Sequence, residues 1–335
     1  MRFRIGFTAF SVLAALAMSP MIYGETTFFS VAPSATDPEI KTFDTPHGVY
    51  VNREIVVEQK QGLERDRHEL LLWITGTHIP GTPRGNGAGP VAFCELAAEL
   101  GYRVICLSYP NDIAAAQFRR EKNPNAFEQF RMAVIRGSHP KQISIDRPEC
   151  IENRLIKLLV LLSEKRPREN WGQFLGADLS LKWEAIAVAG QSQGGGHAAL
   201  IGIKHRVARV ICTGAPKDFS LAFELPAAWY RERSATPKSL FFAFNHTQDP
   251  MGCSPKQLLE NLRVLGLDAY GGPVSVDNES APYRHSRILM TGNPAVTVEG
   301  ENSRGALAAH TSVIAAKYAD RLRPVWKYML TEKAP

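Results

Sequence analysis

The chain has little of what marks disulfide-built, metal-built or nucleic-acid-binding proteins. Its five cysteines (Cys94, Cys106, Cys150, Cys212 and Cys253) are sparse, odd in number and never spaced Cys-x-x-Cys. That pattern predicts neither a disulfide framework, since at most two pairs would leave a thiol over, nor a cysteine-built metal site. Cys106 and Cys212 fall inside apolar runs, where a buried free thiol is the expected state. Lys and Arg never gather into a run interleaved with aromatics, so the formal net charge of +6 reads as solvated surface and no nucleic-acid partner is expected. Low-complexity tracts, long linkers and internal repeats are also missing. With 44% hydrophobic and 21% charged residues, the composition is that of a globular chain.

What is there begins with a segment unlike the rest. Arg2 and Arg4 give a basic start, residues 5–18 are uncharged and largely apolar, and small or turn residues follow up to Gly24. This is a secretory signal pattern, with cleavage expected near Gly24–Glu25. Removing residues 1–24 takes away Arg2 and Arg4 and no acidic residue, so +6 becomes +4. The apolar core is shorter than the ~20 residues of a membrane span, which makes an uncleaved anchor the weaker reading. No Cys precedes Cys94, so a lipid-modified cysteine just after the signal is not expected. A secreted or periplasmic protein without an integral span in its mature part is the expectation. Residues 25–45 read as a turn-rich surface arm, and residues 46–335 as one domain.

Within that domain, strands and helices alternate. Residues 48–57, 69–75, 103–108, 185–189, 209–213, 240–245 and 286–291 read as strands, several of them apolar almost throughout, as strands buried on both faces are. Residues 90–100 form a predicted helix with Pro at its start and Gly just past its end. Ile151, Leu155, Leu158, Leu159 and Leu162 draw an apolar helical stripe, and residues 193–203, 306–320 and 324–331 complete the helices. Residues 110–148 are polar and irregular, an insertion that either covers substrate or decorates the surface. Alternation of this kind predicts an α/β fold with a mostly parallel central sheet covered by helices on both faces.

Residues 183–190 run straight into Gln191-Ser192-Gln193-Gly194-Gly195-Gly196. A Gly-x-Ser-x-Gly pentapeptide between an apolar strand and a helix describes the sharp turn that lifts a Ser side chain above a sheet. Gly190 and Gly194 stand where a side chain would collide with the neighbouring strand and helix. A phosphate-cradling loop would instead need a Lys or a Gly-x-Gly-x-x-Gly spacing. On this motif, written Gly-Gln-Ser-Gln-Gly-Gly-Gly-His, and on the order of elements around it, the chain resembles the α/β-hydrolase superfamily over residues 46–325, in particular its lipase- and esterase-like members. Gln191 stands where such proteins often have His, a departure that leaves the turn geometry untouched.

The resemblance implies that Ser192 is the nucleophile and that acid and base follow it in that order. His310, after the last strand, is the implied base. His285, His246, His197 and His205 are weaker candidates by position. Asp249, after the strand at 240–245, is the implied acid, with Asp218 after the preceding strand as its rival. The oxyanion needs two backbone N–H donors. Gln193 is expected to give one, and Thr77, with His78 close behind, the other. Trp171, Trp229 and Tyr230 are candidate walls of an apolar acyl or sugar site. The predicted reaction is hydrolysis of a carboxylic ester, small or polymeric, through an acyl-enzyme and without a cofactor. Amide or peptide cleavage, acyl transfer to an alcohol, and a non-catalytic secreted binding protein on the same scaffold are the alternatives. The sequence leaves the oligomeric state open.

Overall fold

A computed structural model describes residues 21–23, 25–58, 66–79, 81–82, 84–141 and 143–334. The signal segment therefore lies outside the described residues except for Met21–Tyr23.

The apolar runs become the sheet. Its strands are β1 (Met21–Tyr23), β2 (Thr26–Val31), β3 (His47–Asn52), β4 (Leu70–Ile74), β5 (Arg103–Leu107), β6 (Ile186–Gln191), β7 (Arg209–Thr213), β8 (Phe241–His246), β9 (Pro273–Ser275) and β10 (Ile288–Thr291). They lie in the order β1-β2-β3-β5-β4-β6-β7-β8-β10-β9. Pairing is antiparallel from β1 through β3 to β5 and parallel from there on. Side chains alternate between the faces, as the pleat requires. Leu70, Leu72 and Ile74 enter one core and Leu71 and Trp73 the other.

Each face is closed by helices that bury an apolar stripe. On the first lie α2 (Ala126–Arg136), α3 (Ile151–Lys165), α4 (Gln193–Lys204) and α5 (Pro255–Val264), whose Leu155, Leu158, Leu159 and Leu162 are fully buried. On the second, α1 (Val91–Glu99) packs against α7 (Ala319–Thr331), with Phe93 edge-on to Trp326. α6 (Arg304–Ser312) precedes α7. The five cysteines are buried free thiols.

Three expectations need correction. Thr26–Val31, inside the segment read as a surface arm, is a sheet strand paired along its whole length with β3, because Phe28 and Phe29 reach opposite cores. The strand expected over 48–57 stops at Asn52, whose side-chain oxygen accepts the Glu54 N–H at 2.9 Å and turns the chain into a short helix at Arg53–Glu58. The stretch 110–148, read as irregular, contains α2, with Phe127, Phe130 and Val134 in the core. Among the described residues no helix is long and apolar enough to cross a membrane.

Candidate active site

β6 ends at Gln191 and α4 begins at Gln193, so one residue makes the turn. That residue, Ser192, has φ 57° and ψ −122°. An L-residue takes such a backbone at a cost of order 1–3 kcal/mol, and only where the surroundings impose it. The Ser192 N–H donates to Thr213 O of β7 at 2.8 Å. A side chain at Gly190 would strike the Gly194 backbone, and one at Gly194 would strike the carbonyls of Ile74 and Thr75. At Gly195 a Cβ would come within 2.5 Å of the Ala215 Cβ, and at Gly196 it would run into the Arg131 guanidinium. Each of the four glycines therefore makes room for a different neighbour.

A strained serine between strand and helix, at the centre of a mostly parallel sheet with helices on both faces, decides the architecture. The chain has an α/β-hydrolase fold. No protein-family model matches it, and no curated protein matches it in sequence. It is similar to the solved structures of an S-formylglutathione hydrolase from Agrobacterium tumefaciens (13% identity, 91% of this chain and 99% of that one, TM-score 0.39) and of a bacterial heroin esterase (15%, 92% and 86%, 0.39). A CE1 ferulic acid esterase from the anaerobic fungus Anaeromyces mucronatus is a further such structure (11%, 93% and 92%, 0.41).

In this hydrolase fold Ser192 and His310 line one cavity of about 320 Å³, together with Thr77, Gln193, Met251 and Leu307. His310, on α6, is 4% exposed, and its Nδ1 lies 2.7 Å from Asp249 Oδ2. Asp249 follows β8 in a loop and is fully buried. Its other oxygen accepts the Met251 N–H at 3.0 Å, and Lys217 Nζ reaches Oδ2 at 2.6 Å. Burial pushes this carboxyl up, but the His310 hydrogen bond and the charges of His310 and Lys217 outweigh it and hold the group below its ordinary range.

The rival acid, Asp218, lines the same cavity, but a guanidinium takes both its oxygens. Asp218 binds Arg131 through both oxygens at 2.6 Å and accepts from Trp229 Nε1 at 2.9 Å, and its N–H donates to Tyr230 Oη. Arg131 in turn donates to Gln193 O at 2.9 Å, so this buried cluster holds the peptide next to Ser192. Trp229 and Tyr230 thus belong to the buttress and Trp171, bonded to Glu169, to the core. None of the three is among the residues lining the Ser192 cavity.

The loop after β4 lies beside the serine, since a Cβ on Gly76 would come within 3.2 Å of the Ser192 Cβ. Tyr109 Oη donates to Thr75 O and Asn111 Nδ2 to Gly76 O, which fixes two successive peptide planes. The His78 N–H is engaged by Asn111 O at 3.0 Å. The Gln193 side-chain oxygen accepts from Thr77 Oγ1 and from the Ala115 N–H, tying this loop to α4. Beyond residues 77–79 lies a second cavity of about 430 Å³, lined by Arg84, Asn86, Ser108 and Asn111 and by none of Ser192, Asp249 and His310.

The other histidines have their own surroundings. His285 pairs with Glu332 at the surface and His205 with Arg136, while His246 contacts Pro294 O. His197 lies under the elbow between Tyr109 and Phe130. The sequence reading missed Arg131 and Lys217. Lys217 stands beside a ranked acid, and that adjacency was a usable signal. Arg131 lies about sixty residues upstream of Ser192, and nothing local pointed to it.

Proposed function

We propose that this protein is a serine hydrolase that cleaves carboxylic esters, with Ser192 as nucleophile, His310 as general base and acid, and Asp249 as the carboxylate that orients His310. The observation that carries the reading is the strained Ser192 in one cavity with a histidine whose Nδ1 is taken by a buried aspartate. With Nδ1–H committed to Asp249, Nε2 is the basic nitrogen left to accept the serine proton. Ser192 Oγ adds to the ester carbonyl, and the N–H groups of Gln193 and Thr77 receive the oxyanion. The carbon–oxygen bond to the alcohol then breaks, and the alcohol leaves with the proton from His310. Water, deprotonated by His310, repeats the addition on the acyl-enzyme and releases the acid. The cycle draws on no cofactor. The cavity volume and the Met251, Leu307 and Ala114–Ala116 walls favour a compact apolar acyl group. The first 24 residues, read as a secretory signal, support a reaction outside the cytoplasm.

A fluorophosphonate probe followed by peptide mapping tests the mechanism. Label is expected on Ser192 and on no other residue, and Ser192→Ala is expected to lose on the order of 10⁶-fold in kcat on p-nitrophenyl esters. Label on a different residue, or unchanged turnover in the variant, would refute it.

A further inference from the structure

Among the described residues, one cation reaches the carboxylate that holds His310. Lys217 Nζ lies 2.6 Å from Asp249 Oδ2, the same oxygen that holds His310 Nδ1, and 3.3 Å from Asp249 O. Its side chain is 10% exposed and that of Asp249 0%. We propose that Lys217 is a positioning residue that offsets the charge of Asp249 and thereby sets how far into the acid range His310 stays an unprotonated base. The proposal rests on the reading of Ser192, His310 and Asp249 as a triad.

The geometry gives Lys217 this part by accounting for the other charges nearby. Asp218, its chain neighbour, is neutralised by Arg131. Glu301, on the cavity wall, is held by Arg119 and by the Gly252 N–H. His246 faces Asp249 from β8, and burial lowers its affinity for a proton. The Cys253 thiol is pushed up to about 12 by burial and stays neutral. Lys217 and His310 are thus the two groups that share the Asp249 charge. A carboxylate facing His310 alone would stabilise the imidazolium in full. One that also faces an ammonium in a poorly solvated site does so only in part. The methylene chain of Lys217 runs against Gly252, where a Cβ would lie 3.5 Å from Lys217 Cβ, so the ammonium is steered by packing as well as by charge.

The test uses the full chain as wild type, Lys217→Met and Lys217→Arg. Two readouts are followed against pH: kcat/KM on a p-nitrophenyl ester, and the NMR titration of the His310 ring. In Lys217→Met both the acid limb of the rate and the ring titration are expected to move to higher pH, by about one unit, the lower end of what a close charge produces. In Lys217→Arg both return toward wild type. An unmoved ring titration in Lys217→Met overturns the proposal even if the variant is less stable, because a merely structural lysine would change the melting temperature and leave the titration in place. Failure of the triad reading shows separately, as probe labelling away from Ser192, and the ring titration still judges Lys217.

Discussion

Asp218 is 1% exposed and Asp249 0%, so the charge of each has to be met inside the protein. Asp218 meets a guanidinium in bidentate geometry, and the pair lines the Ser192 cavity and holds Gln193 O. Asp249 meets the imidazole that lines the Ser192 cavity. The same substitution should therefore produce different losses at the two positions. Asp249→Asn is expected to cost about 10³–10⁴-fold in kcat, the scale seen when a histidine loses its orienting carboxylate. Asp218→Asn leaves Arg131 buried and half-paired and is expected to lower the unfolding free energy by about 3–5 kcal/mol. Steady-state rates and denaturant midpoints for the two variants check this, and the opposite pattern would exchange the roles of the aspartates.

α4 opens on three glycines, each about 1 kcal/mol poorer than Ala as a helix former. Its first turn is therefore held by what packs against it: the carbonyls of Ile74 and Thr75, Ala215 and the Arg131 guanidinium. Gly196→Ala would improve the helix locally and displace Arg131. The net effect is expected to be a loss of stability of a few kcal/mol, read as a lower melting temperature, together with weaker probe labelling at Ser192; an unchanged or higher melting temperature counts against this account. At this scale the sequence was legible wherever one local rule sufficed. β4, β5, β6, β7 and β8 are continuous apolar runs, and α3 carries a clean stripe. β2 was hidden because Phe28 and Phe29 serve opposite cores, which erases alternation, and α2 because a buried Arg interrupts its apolar face. That Asp249 and His310 would meet at the Ser192 cavity was legible from the order of elements. Their buttress was not, because Arg131, Gln193 and Asp218 meet only in three dimensions.

The molecule as a whole carries a pH dependence independent of any chemistry at Ser192. His47 and His197 are fully buried. Burial, joined by the nearby charge of Arg154, pushes His47 down to about 3. Burial, joined by Arg131, lowers His197 well below its ordinary 6.5. A histidine depressed on folding binds its proton more readily in the unfolded chain, so stability is full above about 6.5 and falls as the pH drops through the interval down to the folded value. The depressed carboxyl of Asp249 contributes in the same sense but lower, losing stability only as the pH falls from its ordinary 3.8 through the folded value. The melting temperature is thus expected to decline from pH 6.5 downward. Among the described residues neither nitrogen of His197 finds a hydrogen-bond partner, and its ring packs against Tyr109 and Phe130. His197→Phe is expected to flatten that decline in a melting series from pH 7.5 to 4.5, and a slope equal to wild type would remove His197 from the explanation.

The Arg131 bond to Gln193 O has a consequence for how this scaffold can be changed. Segments that border an active site are the usual cassettes for grafting a new preference onto an old fold, because they are taken to be separable from the chemistry. Here the segment 110–148 is not a cassette. It delivers a guanidinium through the slot at Gly196 to the peptide that adjoins Ser192, so an exchange made to alter what enters the cavity would also remove the pin that holds the serine in place.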